Sequence, residues 1–109
     1  MTQIRYSRSD VLKLLEGCNC FDVVVSDAPS ISTDSVHWLC SFKTGRWPST
    51  SSATTAECTR DAAKESLLQF ERAIRLPPRC FVDTKIAVKR SGASVSFKLC
   101  IPREFAHVG

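Results

Sequence analysis

The side chains of this chain most able to catalyse a reaction or bind a metal are its thiols and imidazoles. Six of the 109 residues are cysteines and two are histidines, His37 and His107. A thiol and an imidazole that meet in space can form a nucleophilic pair. However, His37 stands beside Trp38 in an apolar run typical of a strand, and His107 stands near the end of the sequence. We therefore predict no catalytic residues and expect that the chain is not an enzyme.

The same residue types could bind zinc, but their spacing does not favour it. Structural zinc sites use ligands two to four residues apart, with a second such pair elsewhere. Cys18 and Cys20 are separated by a single residue, and the other cysteines stand apart from one another. We predict no metal and no cofactor. Because the cysteines lie in apolar segments and the N-terminal residues do not resemble a secretory leader, reduced thiols in a cytoplasmic or nuclear protein are expected.

Positive charge is concentrated in the last third of the chain. Residues 77–109 carry six basic and two acidic side chains, which accounts for the whole net charge of +4. Four of the basic residues are Lys85, Lys89, Arg90 and Lys98. Such a cluster can bind nucleic-acid phosphates, although it can equally be a solvated face that protects strand edges. Phe81 is the one aromatic residue that we expect to be exposed near these charges.

Two helices are predicted, and the second has the clearest pattern in the sequence. The first is expected at 8–16 and the second at 55–75. Apolar residues recur in the second at spacings of four, three and four, as one buried helix face requires. These residues are Ala63, Leu67, Phe70 and Ile74. The predicted boundary signals are Ser9-Asp10 and Gly17 for the first helix, and Thr54, Glu57 and Pro77-Pro78 for the second.

Strands are predicted before and after the second helix. Apolar runs indicate buried strands at 21–25 and 36–42, and a third strand around Trp47. A basic hairpin is expected within 79–103, where apolar and polar residues alternate. Its predicted inward-facing residues are Val82, Thr84, Ile86 and Val88 on the first strand, and Val95, Phe97, Leu99 and Ile101 on the second.

These elements predict a single α+β domain spanning 1–109. Two helices are expected on one face of an antiparallel sheet, in α-β-β-β-α order over 8–76, followed by the hairpin. No apolar run approaches the roughly 20 residues of a membrane helix, so no membrane association is expected. The predicted core consists of Val23, Val25, Leu39, Ala63, Leu67, Phe70, Ile86, Val88, Phe97 and Leu99.

The element order of residues 8–76 resembles that of the double-stranded-RNA-binding domain. The run Phe-Asp-Val-Val-Val-Ser-Asp-Ala-Pro at 21–29 is similar to the first strand and following loop of that family, and 60–68 is similar to its alanine-rich second helix. The resemblance implies a non-catalytic binding module. It covers about two thirds of the chain.

The family places lysines at the start of its second helix, where they contact RNA phosphates. Here the matching positions are Thr55, Ala56 and Thr59; only Lys64, a turn later, is basic, and we include it with the four hairpin residues as a predicted nucleic-acid contact. Family members without these lysines commonly serve as protein-interaction or dimerisation modules. The resemblance therefore leaves RNA, a protein partner and a second copy of the chain open as binding partners.

A shorter N-terminal segment resembles the motif with which translation regulators bind the cap-binding factor eIF4E. That motif is a tyrosine, four further residues, a leucine and an apolar residue. Tyr6 and Leu12 match it, and Val11 stands where leucine is usual. The resemblance implies a short helix that docks these three side chains in a groove of the partner. The alternative is that the first helix packs its apolar residues onto the sheet.

Overall fold

The computed structural model describes residues 5–18, 20–29, 34–44, 55–89 and 92–107, with the side chains of the second helix described from Thr59 onward. Within these ranges two helices and four strands form a two-layer α+β fold, which confirms the predicted fold class. In chain order the elements are α1 (Arg8–Glu16), β1 (Cys20–Asp27), β2 (Ser35–Thr44), α2 (Thr55–Ile74), β3 (Phe81–Lys89) and β4 (Gly92–Pro102).

The four strands form one antiparallel sheet in the order β1-β2-β4-β3. Strand β4 pairs with β2 from Ser35–Pro102 to Lys43–Ser94, and with β3 on its other side. The C-terminal hairpin therefore belongs to the same sheet as the first two strands, and β4 lies at its centre. The third strand predicted around Trp47 and the cap predicted at Thr54 fall outside the described residues.

Helix α1 spans the predicted residues, but its N-cap lies two residues before the one predicted at Ser9 and belongs to a capping box. Ser7 is the N-cap: its Oγ accepts a hydrogen bond from the backbone N–H of Asp10 at 3.2 Å. In return the backbone N–H of Ser7 donates to Asp10 Oδ2 at 2.9 Å. A cap at Ser9 would leave Asp10 unable to close this reciprocal pair. Val11 and Leu15 are fully buried and attach the helix to the sheet.

We expect this capping box to make folding stability depend on pH. Hydrogen bonds from the backbone and side chain of Ser7 hold the pKa of the Asp10 carboxyl below its usual value. The stabilisation is therefore complete above the unfolded-state pKa of about 4 and is lost as the pH falls through the lower folded-state pKa. Asp10→Asn should reduce the free energy of unfolding by about 0.5–1 kcal/mol at neutral pH and by much less near pH ~2, as measured by urea denaturation.

The matched control is Asp61→Asn, because Asp61 is an exposed aspartate on α2. This change removes a charge from a helix without disturbing the capping box of α1. An Asp10→Asn loss that is equally large at both pH values would contradict the prediction.

Aromatic rings join α2 to three strands of the sheet. The Phe70 ring on α2 lies 5.6 Å, centroid to centroid, from both Phe81 and Phe97. Phe97 also meets the ring of Phe42 on β2 at 6.4 Å in an edge-to-face arrangement. Phe42, Phe70 and Phe97 are buried in the core, and Phe81 is partly buried against them. Phe81 is therefore part of the core rather than the exposed aromatic residue that the sequence analysis expected.

Most of the predicted core is confirmed. Ala63, Phe70, Phe97 and Leu99 are buried. A second group is partly buried against these residues: Val23, Val25, Leu67, Ile86 and Val88. Leu39 is wrong, because it is 45 % exposed on the side of the sheet opposite the helices. The strand alternation of β2 turns Trp38, Cys40 and Phe42 inward, so that Leu39 between them faces outward.

Because of a bulge in β3, the inward-facing residues at the start of the hairpin differ from those predicted. Asp83 has a φ of 56°, and the register of β3 with β4 shifts between Val82 and Lys85. Phe81 therefore pairs with the inward-facing Leu99, Val82 pairs with Lys98 on the opposite face, and Thr84 is exposed. An additional residue in one strand reverses the alternation beyond it, and period-two reasoning does not anticipate this. Ile86 and Val88 face the core as predicted.

Candidate nucleic-acid interface

The helices pack on one face of the sheet, and we call the opposite face the open face. Its side chains are those that alternate with the core residues, and the strand register arranges them in cross-strand rows. Successive rows lie about 7 Å apart, because two residues of a strand extend by that distance. From one end to the other, the rows contain Ser26, Leu39, Lys98 and Val82; then Val24, Ser41, Ser96 and Lys85; then Phe21, Lys43, Ser94 and Ala87; and last Lys89 opposite Gly92.

Each of these four rows carries one lysine. In row order they are Lys98, Lys85, Lys43 and Lys89, and we call this set the lysine ladder. The ladder follows the strand direction for about 20 Å, the length of three row spacings. Three of the lysines are exposed and Lys98 is partly buried. The open face therefore carries positive charge along its whole length, distributed over β2, β4 and β3.

Two aspartates reduce the positive charge of this face. Lys43 Nζ lies 3.4 Å from Asp22 Oδ2, an exposed ion pair. Asp83 lies in the β3 bulge and borders the same groove as Lys85 and Lys98. In the described part of the chain, Lys85, Lys89 and Lys98 form no ion pair with an acidic side chain. Four lysines against two aspartates leave the open face positively charged.

Apolar side chains are exposed on the same face as the lysines. Phe21 is 40 % exposed and Val24 is 54 % exposed, although both are large hydrophobic residues. Val24 and Leu39 line a shallow groove of about 570 Å³ that also contains Lys85 and Lys98. Exposed apolar side chains beside unpaired cations are a combination suited to a partner with both charged and apolar parts.

The structure brings together three of the five residues predicted to bind nucleic acid. Lys85, Lys89 and Lys98 lie on the open face. Lys64 lies on the exposed side of α2, in the other layer of the fold. Arg90 lies outside the described residues.

The sequence analysis missed Lys43 and Phe21. Their signal was their alternation with the inward-facing Thr44 and Cys20, which the register pairs across β1 and β2. Once those two residues are placed in the core layer, their chain neighbours Lys43 and Phe21 must face the opposite side. Both residues are exposed in the structure.

No protein-family model, curated protein sequence or solved structure matches this chain. The resemblance to the double-stranded-RNA-binding domain and the resemblance to the eIF4E-binding motif therefore stay predictions. Among the described helices, neither is both long enough and apolar enough to cross a membrane.

The residues of the predicted eIF4E-binding motif are mainly structural in the folded chain. Tyr6 is 7 % exposed and Val11 is fully buried, while Leu12 is partly buried. The backbone of Tyr6 is tied to the C-terminal segment, because its N–H donates to Phe105 O and its carbonyl accepts from His107 N–H, both at 2.8 Å. Docking Tyr6 and Val11 into a partner would require α1 to leave the sheet.

Within the described residues, one thiol and one imidazole face each other across strands: His37 on β2 and Cys100 on β4 are register partners. His37 Nε2 lies 3.1 Å from Ser35 Oγ, and its buried Nδ1 has no hydrogen-bond partner among the described residues. Burial raises the pKa of the Cys100 thiol, so it is protonated at neutral pH. The reactive nucleophile is the thiolate. This arrangement therefore does not activate the thiol.

Cys18 and Cys20 are engaged with the backbone. Cys18 Sγ donates to Leu14 O at 3.2 Å, and Cys20 Sγ donates to Cys18 O at 3.5 Å. Burial raises the pKa of Cys18, and it raises the pKa of Cys20 to about 11. A metal ligand must be deprotonated, so these positions disfavour metal binding. The described residues contain no group of three or more candidate metal ligands.

Proposed function

We propose that this chain is a non-catalytic binding module that contacts RNA through the open face of its sheet. The observation that supports the proposal is the lysine ladder, which places one cation in each of four successive rows. Nucleic acids carry a regular line of phosphates, and lysines that neutralise them release counterions into solution. Four cations in successive rows of one surface are complementary to such a polymer.

The exposed side of α2 is a weaker candidate for the same role. Its exposed basic residues Arg60, Lys64 and Arg72 are interleaved with acidic ones, Asp61 and Glu65. Charges of both signs on one helix face are typical of a solvated surface. If the chain is of the double-stranded-RNA-binding-domain type, its RNA contacts therefore differ from those of the family, which uses the start of the second helix.

Salt dependence tests the proposal. If the four ladder lysines each contact one phosphate, log K for a labelled RNA should fall against log salt with a slope of roughly −3. Between about 50 and 200 mM salt the affinity should then fall roughly 60-fold, as measured by fluorescence anisotropy. An affinity that changes less than about twofold over this range, or no binding at the lower salt concentration, would rule out phosphate recognition by the ladder.

Protein contact is a second candidate function, and Val24 and Leu39 favour it. Both side chains are large, apolar and exposed on the open face. They could bind another protein or a second copy of the chain. The eIF4E alternative has less support, since Tyr6 and Val11 are buried. A cytoplasmic or nuclear location is part of the same proposal and is supported by the free thiols of the five described cysteines.

A further inference from the structure

We infer that the open face binds single-stranded rather than double-stranded RNA, with one base stacked on the Phe21 ring. This inference rests on the proposed function. Its basis is the position of an exposed aromatic ring and two exposed aliphatic side chains within the same surface as the lysine ladder. A bound RNA must therefore satisfy both the charges and the apolar groups.

A duplex can satisfy the lysines but not the apolar residues. Its bases are paired and stacked inside the helix, so its outer surface offers phosphates and 2′-hydroxyls. Phosphates and 2′-hydroxyls placed against Phe21, Val24 and Leu39 would lose their hydration without gaining a hydrogen bond, which is unfavourable. A single strand exposes the faces of its bases, and these can cover aromatic and aliphatic side chains while the phosphates meet the lysines.

Phe21 lies on the edge strand β1, where a base stacked on its ring would have lysines of the neighbouring strands nearby. Its register partner on β2 is Lys43, and the ring borders a small depression together with Lys89 and Gly92. Lys89 and Gly92 are register partners at the end of the hairpin, and they close the ladder at this end of the sheet. A base on Phe21 therefore keeps its own phosphate within reach of a lysine.

The rest of the open face can hold the following nucleotides. From the Phe21 row the ladder continues to Lys85 and Lys98, which border the groove lined by Val24 and Leu39. Ser41 and Ser96 line the same groove, and their hydroxyls can form hydrogen bonds with bases or sugars. The width of the four strands of the open face is roughly 15 Å. An extended single strand fits along it.

Three RNA probes of equal length separate the contributions of phosphate and base. The first is a single-stranded uridine-rich RNA, the second is the same backbone without bases, and the third is a paired hairpin. Binding would be measured by anisotropy for the wild-type chain and for Phe21→Ala and Phe21→Trp. The matched control is Leu68→Ala, because Leu68 is 44 % exposed but lies on α2 in the other layer. Circular dichroism melts of every variant confirm that it is folded.

We expect the wild-type chain to bind the single strand at least tenfold more tightly than either other probe. Phe21→Ala should weaken single-strand binding about tenfold, the usual effect of removing a stacking ring, and leave the base-free and paired probes unchanged. Phe21→Trp should retain binding, and Leu68→Ala should have no effect.

Equal affinity for single-stranded and paired RNA, or a Phe21→Ala affinity within twofold of wild type, would overturn the inference while leaving RNA binding itself intact. Failure of all three probes to bind would instead refute the proposed function and the inference with it.

Discussion

Replacing Lys85, Lys89 and Lys98 together with glutamate should reduce RNA affinity at least about 100-fold at moderate salt. Each of these lysines occupies its own row of the open face and forms no ion pair within the described residues. Removing three phosphate contacts should also flatten the salt dependence, since the slope scales with the number of phosphates neutralised. Glutamates at the same positions add repulsion to the lost attraction. Anisotropy titrations at several salt concentrations measure both effects.

The control for this variant changes the same amount of charge on the other layer. Replacing Arg60, Lys64 and Arg72 with glutamate alters three exposed residues of α2. Because the net charge changes equally in both variants, a non-specific electrostatic effect would weaken binding in both alike. We expect the α2 variant to remain within about threefold of wild type, since long-range charge effects are screened at moderate salt. Equal losses in the two variants would show that the open face has no special role.

The same charge reversal distinguishes RNA from a protein partner. Partners recovered from a lysate through RNA should be lost after nuclease treatment and also from the glutamate variant. A protein that is retained after nuclease and bound by the variant would contact the chain independently of the ladder, and it would favour the second candidate function.

Phe97→Ala should destabilise the fold by about 3–5 kcal/mol, which is a large fraction of the stability of a domain of this size. Phe97 is 2 % exposed, lies on a central strand and contacts the rings of Phe42, Phe70 and Phe81. Truncation removes apolar surface and leaves a cavity that α2 and the sheet can fill only in part. Urea denaturation followed by circular dichroism should show a lower midpoint, or a chain that is already unfolded at room temperature without urea.

Leu39→Ala is the matched substitution on the opposite face of the neighbouring strand. Leu39 is a large apolar residue but is 45 % exposed, so its truncation leaves no closed cavity. The expected loss is below about 1 kcal/mol. If Leu39→Ala were as destabilising as Phe97→Ala, the two sides of the sheet would be equally buried and the open face would not be free to bind a partner.

Several features of this fold follow from local sequence. The apolar spacing of α2 predicts Ala63, Phe70 and Ile74 on one buried face, because the helix repeat depends only on residues within a few positions of one another. Alternation similarly predicts the inward-facing residues of β4, Phe97 and Leu99 among them. The positive charge of the C-terminal hairpin is likewise visible from composition, and three of its lysines do share one surface.

The pairing of distant strands determines which of these side chains share one surface. Lys43 lies more than forty residues earlier in the chain than the nearest lysine of the hairpin. The insertion of β4 between β2 and β3 places it on the same face of the sheet as Lys85 and Lys89. The bulge at Asp83 and the outward orientation of Leu39 also depend on pairing with other strands. Strand order and register are set by contacts between residues distant in sequence, where packing and hydrogen bonding outweigh local preference. Local sequence patterns therefore predict the helices, the strands and the charge of the hairpin. The pairing of the strands sets which side chains form the open face.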